Sequence, residues 1–366
     1  MSACLLGAVS SSTDLNHKCS IGERNLFLFF FLSDGKNNFE KIKNMNIELL
    51  EGDCTFEHKA IKDGSVDLIL TDLPYGTVTN IASSDTVKHG MQNKTNWDCV
   101  IETEKIYEIA NRILRKNGKM VLFAQQPFTT ELISKQTPNI NFNYNMIWKK
   151  DHFANSLIAK KAPLNYYEDV LVFSKSGSGE NNETKNYLIA EKEKAYKAGW
   201  TDKKLRLLCE VSLKGGGLLC HYWGVGQWMI PTEKIYNKLK ETGFFEKPYS
   251  ELKEINLKYE ATFNLWEGGK FKSNILEYKK DYDGLHPTQK PILLLEDLVK
   301  TFSNENDLVV DLTMGSGSTA IACVNTNRNF IGIEKDFNYF DVSKKRVEKK
   351  RKEKDLQAET LFGTLM

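Results

Sequence analysis

Asp72-Leu73-Pro74-Tyr75 sets a carboxylate, a rigid turn and an aromatic face side by side along the chain. That trio suits one chemical problem. The lone pair of an exocyclic aromatic amine is delocalised into its ring, so the nitrogen attacks poorly unless acceptors on both N–H bonds draw it toward tetrahedral geometry. Asp72 can supply one acceptor as a carboxylate. A backbone carbonyl at Leu73 or Pro74 can supply the other, because a proline holds the residue before it in an extended conformation. Tyr75 then offers a face on which a planar base stacks, worth ~1–3 kcal/mol. The four residues read as a clamp for a base turned out of its stack. A strand-ending turn with a structural tyrosine is the plainer alternative.

Far along the chain, Asp311-Leu312-Thr313-Met314-Gly315-Ser316-Gly317-Ser318 is a glycine turn entering a helix, a common way to bring backbone close to a nucleotide-like ligand. Alone it is weak, since dehydrogenases share it. The next strand, Phe330-Ile331-Gly332-Ile333, sharpens it by ending at Glu334, where a carboxylate can accept hydrogen bonds from ribose hydroxyls. Glu334 could equally be a surface residue at a strand end. Asp311 either orients the loop through its amides or receives a cationic group of the ligand.

Both strings need a platform. Val66 to Leu70 and Leu308 to Val310 read as buried parallel strands, which puts each string at the carboxyl edge of one sheet, where ligands collect in open α/β folds. Ile47 to Leu50 reads as a strand ending at Glu51-Gly52-Asp53, followed by a short helix and the turn Lys62-Asp63-Gly64-Ser65. After a long polar loop, Thr77 to Asp98, the pattern predicts a helix from Glu102 to Arg115, stopped by Asn117-Gly118, then strands at Lys119 to Ala124, Asn145 to Lys149 and Asp169 to Phe173. The expected fold is doubly wound α/β with a mostly parallel, Rossmann-like sheet. From Lys175 to about Lys280 the rhythm breaks into helix-like stretches between tight turns, with Thr201 and Thr232 as caps. That insertion reads either as a helix-turn-helix-like DNA reader or as an ordinary helical insertion.

Composition excludes little else. With 366 residues and 41% apolar content the chain can bury a full core plus an insertion. Net charge is only +2, so a polyanion would meet local basic surface such as Lys149-Lys150, Lys160-Lys161 and the run Lys344 to Lys352, or that run is simply a solvated helix face. The 7 cysteines form no C-x-x-C pair, which argues against a zinc site or disulfide framework and for a reducing compartment. No metal is expected. Asn25 to Leu32 is apolar but far short of the roughly 20 residues that span a bilayer, so no membrane partner is expected. Residues 1–44 read as an extension, with Met45 directly before the first convincing strand.

The motifs together resemble a known family. Asp72-Leu73-Pro74-Tyr75 looks like the D-P-P-Y motif of amino-methyltransferases, His286-Pro287-Thr288-Gln289-Lys290-Pro291 like their H-P-T-Q-K-P element, and Asp311 to Thr319 like the D-P-F-M-G-S-G-T-T cofactor motif. Their order resembles that of the β-group of bacterial and phage DNA methyltransferases acting on adenine N6 or cytosine N4. The resemblance implies S-adenosyl-L-methionine as cofactor, held by Asp311, Gly315, Gly317 and Ser318, with Glu334 on its ribose, Asp53 on its adenine amine, and Thr288, Gln289 and Lys290 closing over its methionine end. It implies Asp72, Leu73, Pro74 and Tyr75 as the catalytic set. The chain departs from these motifs where Leu73 replaces a proline, Leu312-Thr313 replaces Pro-Phe and Ser318 replaces a threonine, yet Leu73 keeps its carbonyl. An aspartate at position 72 favours adenine within this family, where serine is commoner for cytosine. Trp97-Asp98, Asn155 and Glu168 resemble positions lining the substrate side. The implied organisation is a catalytic domain over 45–175 and 281–348, a target-recognition insertion over 176–280 and a basic tail over 349–366, acting on double-stranded DNA in the cytoplasm as a bacterial or phage-encoded chain. A homodimer and a cognate restriction endonuclease stay open. So do methylation of RNA or a protein amide on the same scaffold, and a DNA-binding regulator with an inactive core.

Overall fold

The computed structural model describes residues 45–75, 100–154, 159–176, 183–212, 219–224, 228–257, 261–281 and 289–365. The polar loop at 77–98, Gly76, Trp97, Asp98, Asn155, Thr288 and residues 1–44 lie outside them. The chain divides into two units, Asn46–Glu348 and Met1–Met45 with Lys349–Met366.

In the first unit eight strands form one sheet in the order β1-β8-β7-β2-β3-β5-β4-β6, comprising β1 (Ile47–Glu51), β2 (Val66–Thr71), β3 (Leu114–Ala124), β4 (Ile140–Ala154), β5 (Asn165–Lys175), β6 (Ile275–Glu277), β7 (Leu308–Asp311) and β8 (Asn329–Glu334). Pairing is parallel except where β5 runs antiparallel to both β3 and β4. The expected alternation of strand and helix therefore stops at β4. An antiparallel partner needs no crossover helix, so β5 returns directly and inserts between β3 and β4.

The helices are α1 (Cys54–Glu57), α2 (Thr103–Ile113), α3 (Phe128–Ser134), α4 (Glu183–Lys197), α5 (Asp202–Leu208), α6 (Cys220–Trp223), α7 (Glu233–Lys240), α8 (Tyr249–Leu257), α9 (Ile292–Phe302), α10 (Ser318–Thr326) and α11 (Phe337–Leu365). Helix α2 ends before the expected Arg115. Leu114 already pairs with Val66, Arg115 turns to the Asp67 carboxylate, and Asn117 takes a left-handed φ of 61°.

Burial divides by sheet face. Ile69 packs with Ile106, Ile109 and Ile113 of α2 and Leu132 of α3, whereas Leu68 and Leu70 pack with Leu294, Leu298 and Phe302 of α9 and Ala320 and Cys323 of α10. Such strands, covered on both faces, read as unbroken apolar runs. Neighbouring β2 and β7 pair in parallel, Leu68 with Val309 and Ile69 with Val310. The chain leaves β2 toward the α2 face and leaves β7 toward the α10 face, so a topological switch point lies between their carboxyl ends.

Helices α4 to α8 gather a separate apolar cluster around Leu188, Leu205, Tyr222, Tyr236, Leu239 and Leu252. The threonine caps are where the sequence predicts them: Thr201 accepts from Lys204 N and Thr232 from Ile235 N. The later part of the expected insertion belongs elsewhere. Strand β6 pairs with β4, and Trp266, Lys272 and Tyr278 all bond the Asp297 carboxylate on α9. The second unit is described over its C-terminal part, where Lys350 pairs with Glu353 on α11.

Candidate active site

Asp72 leaves the end of β2 with its carboxylate held from two sides. The Tyr75 hydroxyl donates to Oδ1 at 2.7 Å, and the Lys290 ammonium donates to Oδ2. Burial pushes the Asp72 carboxyl above its ordinary range, with the Glu168 carboxylate adding to the rise while Lys290 pulls against it. Leu73 is buried in the core, which anchors the turn. The Tyr75 ring lies 5.4 Å from Phe128, tilted by 41°, and burial lifts its phenol well above the usual value.

Lys290 extends this charge cluster. Its ammonium also pairs with Glu168 at 3.1 Å, and Glu168 pairs with Lys150 at 2.6 Å. Burial alone would depress Lys290, but the Asp72 and Glu168 carboxylates outweigh it and raise its pKa. For Glu168, Lys290 and Lys150 outweigh a burial that would raise it, so it is lowered.

The glycine turn sits against the Asp72-Leu73-Pro74-Tyr75 string. Thr313 Oγ1 donates to the Asp72 carbonyl at 2.9 Å and shares a hydrogen bond of 2.9 Å with Thr71 Oγ1. Gly315 and Gly317 take φ of 54° and 80°, a region that suits glycine, and Gly317 caps α10. Asp311 is buried. Its Oδ1 accepts from Thr313 N at 3.1 Å and its Oδ2 from Thr319 Oγ1 at 2.6 Å, yet burial still pushes its carboxyl up to about 6. Glu334 Oε2 accepts from Gly315 N at 2.8 Å and Oε1 from Asp336 N at 2.7 Å, while burial raises its pKa. Arg346 ties the loop from behind, bonding the Ser316 carbonyl at 3.1 Å and Ser318 Oγ at 3.0 Å.

The structure gathers Asp72, Leu73, Pro74 and Tyr75 next to Asp311, Gly315, Gly317, Ser318 and Glu334. Gln289 joins them through Ser316 Oγ at 3.3 Å. Lys290, expected over the methionine end of the cofactor, has its ammonium on Asp72 and Glu168. Asp53 caps α1 by accepting from Thr55 N at 2.9 Å and pairs with Lys335 at 3.0 Å. Sequence reasoning missed Thr313 as the link between the strings, having read it only as a departure from a motif. It also read Lys150 as exposed basic surface. The period of a strand held the corrective signal, because Lys150 shares a face with buried Met146 and Trp148. Among the described residues, no three His, Cys, Asp or Glu side chains gather as a metal site.

An acidic glycine loop and a clamped Asp-Leu-Pro-Tyr, meeting at the switch point of a doubly wound sheet, define a class of nucleotide-handling α/β protein. A family model described as DNA methylase matches residues 66–345, and the chain belongs to that family. Among curated relatives, Type II methyltransferase M.BglI of Bacillus subtilis is 32% identical over 126 residues, covering 34% of this chain and 35% of the relative. DNA adenine methyltransferase YhdJ of Escherichia coli strain K12 is 24% identical over 306 residues, covering 82% of each chain. The chain thus spans about a third of the length of M.BglI and most of YhdJ. The crystal structure of M1.HpyAVI is 20% identical, covers 82% of this chain and 98% of its own, and superposes with a TM-score of 0.46. No described helix is long and apolar enough to cross a membrane.

Proposed function

We propose that this chain transfers a methyl group from S-adenosyl-L-methionine to the exocyclic N6 amine of adenine in double-stranded DNA. The observation that carries the reading is the contact between Thr313 of the glycine turn and the carbonyl of Asp72, at 2.9 Å, which joins the two strings across 241 positions of sequence. That bond sets the end of β2 beside the glycine turn after β7, which supports a transfer between a ligand on the turn and a base held at Asp72.

The residues of the turn fit the cofactor. Asp311 is a buried carboxyl that holds a proton more tightly than usual, so a cationic ligand is a suitable partner for its ionised form. Glycines at 315 and 317 leave the backbone bare at the head of α10, and Glu334 offers the remaining lone pairs of two oxygens that already fix the turn. When bound, S-adenosyl-L-methionine supplies a methyl group already activated on its sulfonium, so the chain's work is to position and polarise. Asp72 accepts one N–H of the amine through the lone pairs that Tyr75 and Lys290 leave on its oxygens, and the Leu73 or Pro74 carbonyl accepts the other. The N–C bond would form as the methyl–sulfur bond breaks, with that bond's electron pair left on a neutral thioether, and the Asp72 carboxylate would take the proton that the nitrogen sheds. Tyr75 stacks on the base. Support for adenine comes from Asp72 itself and from the relative that is named a DNA adenine methyltransferase. A homodimer and a cognate restriction endonuclease are expectations of the family alone.

The test is direct. Purified chain is incubated with methyl-labelled cofactor and, in parallel, duplex DNA, RNA and a protein mixture, and labelled DNA is digested to nucleosides. The expected product is N6-methyladenine. Label in N4-methylcytosine refutes the choice of base, and label confined to RNA or protein refutes DNA as substrate.

A further inference from the structure

Granted that Asp72 is the acceptor for the target amine, we propose that Glu168 is a positioning residue for methyl transfer, anchoring Lys290 so that Lys290 holds the Asp72 carboxylate aimed. The chain of contacts is continuous: Asp72 to Lys290, Lys290 to Glu168 at 3.1 Å, and Glu168 to Lys150 at 2.6 Å. Each member comes from a different part of the sheet edge. Asp72 follows β2, Lys290 precedes α9, Glu168 lies on β5 and Lys150 on β4.

Water cannot stand in for these partners. The side chains of Lys290, Glu168 and Lys150 are 7%, 10% and 6% exposed, against 23% for Asp72. Aromatic rings close the other sides, with Phe123 5.0 Å from the Lys290 ammonium and Trp148 5.3 Å from that of Lys150. Two cations and two anions leave the buried set neutral, so loss of any one strands a charge. Only the Asp72 end opens toward solvent, where a substrate can reach it. Tyr75 fixes Oδ1 and Lys290 fixes Oδ2, which sets the rotation of the carboxylate and the direction of its free lone pairs.

A staple that merely joins β4 and β5 to the segment before α9 would have the same contacts. Charge separates the two roles. Among the described residues, the ionisable groups that face Asp72 are Lys290, Glu168, the Tyr75 hydroxyl and Asp311, with Lys150 behind Glu168. Lys290 favours the carboxylate and Glu168 opposes it. Removing each must therefore move the ionisation of Asp72 in opposite directions, which loss of packing alone would not do.

The experiment measures kcat, KM for duplex DNA, cofactor affinity and the acidic limb of the pH profile for the wild-type chain, Glu168→Gln, Lys290→Met, Lys290→Arg and the double variant Glu168→Gln/Lys290→Met. Expected for Glu168→Gln is a kcat lower by about tenfold with the acidic limb moved down in pH, because Lys290 loses an anchor while Asp72 loses a repelling neighbour. Lys290→Met lowers kcat by about a hundredfold and moves the limb up. Cofactor affinity holds within about twofold in both, and the double variant is little worse than Lys290→Met alone. Lys290→Arg keeps the cation and restores the limb, so the comparison stands even where Lys290→Met folds poorly. An active wild-type chain whose limb stays put in Glu168→Gln, or whose two losses simply multiply, overturns the positioning role alone. A wild-type chain that transfers no methyl group to DNA overturns the reading of Asp72 and this role with it.

Discussion

Asp311 carries the sharpest pH consequence in the site. Its carboxyl is pushed up to about 6 from an ordinary 3.8, chiefly by burial and in spite of donors from Thr319 and Thr313. A raised folded value means the proton-bound form is the favoured one, so the folded chain gains stability from this group as pH falls through 6 toward 3.8 and loses it as pH rises. Asp311→Asn should therefore be the more stable protein at pH 8, by on the order of 2–3 kcal/mol, with a margin that shrinks by pH 5. Urea unfolding at the two pH values checks it, and a margin that grows on acidification contradicts the sign. On the proposed function the same carboxyl would also govern cofactor affinity. A cationic cofactor prefers the carboxylate, so its Kd should fall as pH rises through about 6 and level off above, with one proton released below that point. In Asp311→Asn the dependence should vanish while Kd weakens by about tenfold or more. Calorimetric titration in two buffers of different ionisation enthalpy reads both effects.

At the level of elements, β8 is shaped by what its neighbour's loop must do. Gly332 pairs with Asp311, and a Cβ there would lie 2.4 Å from Met314 Sδ and 2.6 Å from the Phe330 ring, both buried. The glycine makes room for Met314, whose N–H also bonds the Ile333 carbonyl at 2.9 Å and so sets where Gly315 begins to turn. Gly332→Ala should push Met314 out, raise the cofactor Kd by about tenfold and cost about 1–3 kcal/mol of stability. Equal cofactor affinity in a folded Gly332→Ala chain would contradict this coupling between strand and loop. The sequence made much of this level legible, because β2, β7 and β8 are covered on both faces and so announce themselves as apolar runs, and because Thr201 and Thr232 cap by local chemistry. What it hid depends on distant partners. The end of α2 is decided by Val66 and Asp67 rather than by Asn117-Gly118, and the roles of Lys290 and Lys150 depend on Glu168, which lies 122 residues before one and 18 after the other. Motif spacing brought the catalytic string and the glycine turn together, but Thr313, the residue that joins them, looked like a deviation.

For the whole molecule, the proposed function raises the question of which part would choose a DNA site. Net charge of +2 gives no global attraction for a polyanion, so choice must come from a local surface, and helices α4 to α8 supply a body with its own apolar cluster to carry one. The expected insertion, 176–280, is too generous a unit to remove. Arg115 reaches the Thr262 hydroxyl at 3.3 Å, Asn264 bonds the Thr301 carbonyl at 2.8 Å, Asp297 collects Trp266, Lys272 and Tyr278, and β6 completes the sheet beside β4. Replacing only residues 183–257 by a short Gly/Ser linker spares all of these contacts. Such a chain should melt as a single folded species and bind cofactor within about twofold of the full chain, because neither Asp311 nor Glu334 loses a partner. Its methylation of DNA should fall by tenfold or more and spread over many adenines in place of one sequence, as methylation-sensitive sequencing reads, since contacts that select a site are lost while the clamp at Asp72 is kept. A deletion carried on through Glu277 should instead unfold, because it strips β4 of its parallel partner and removes Lys272, the cation that balances the Asp297 carboxylate at 10% exposure. Retained choice of the same sequence after the smaller replacement would move target recognition to another surface of the chain and leave the helical body without that role.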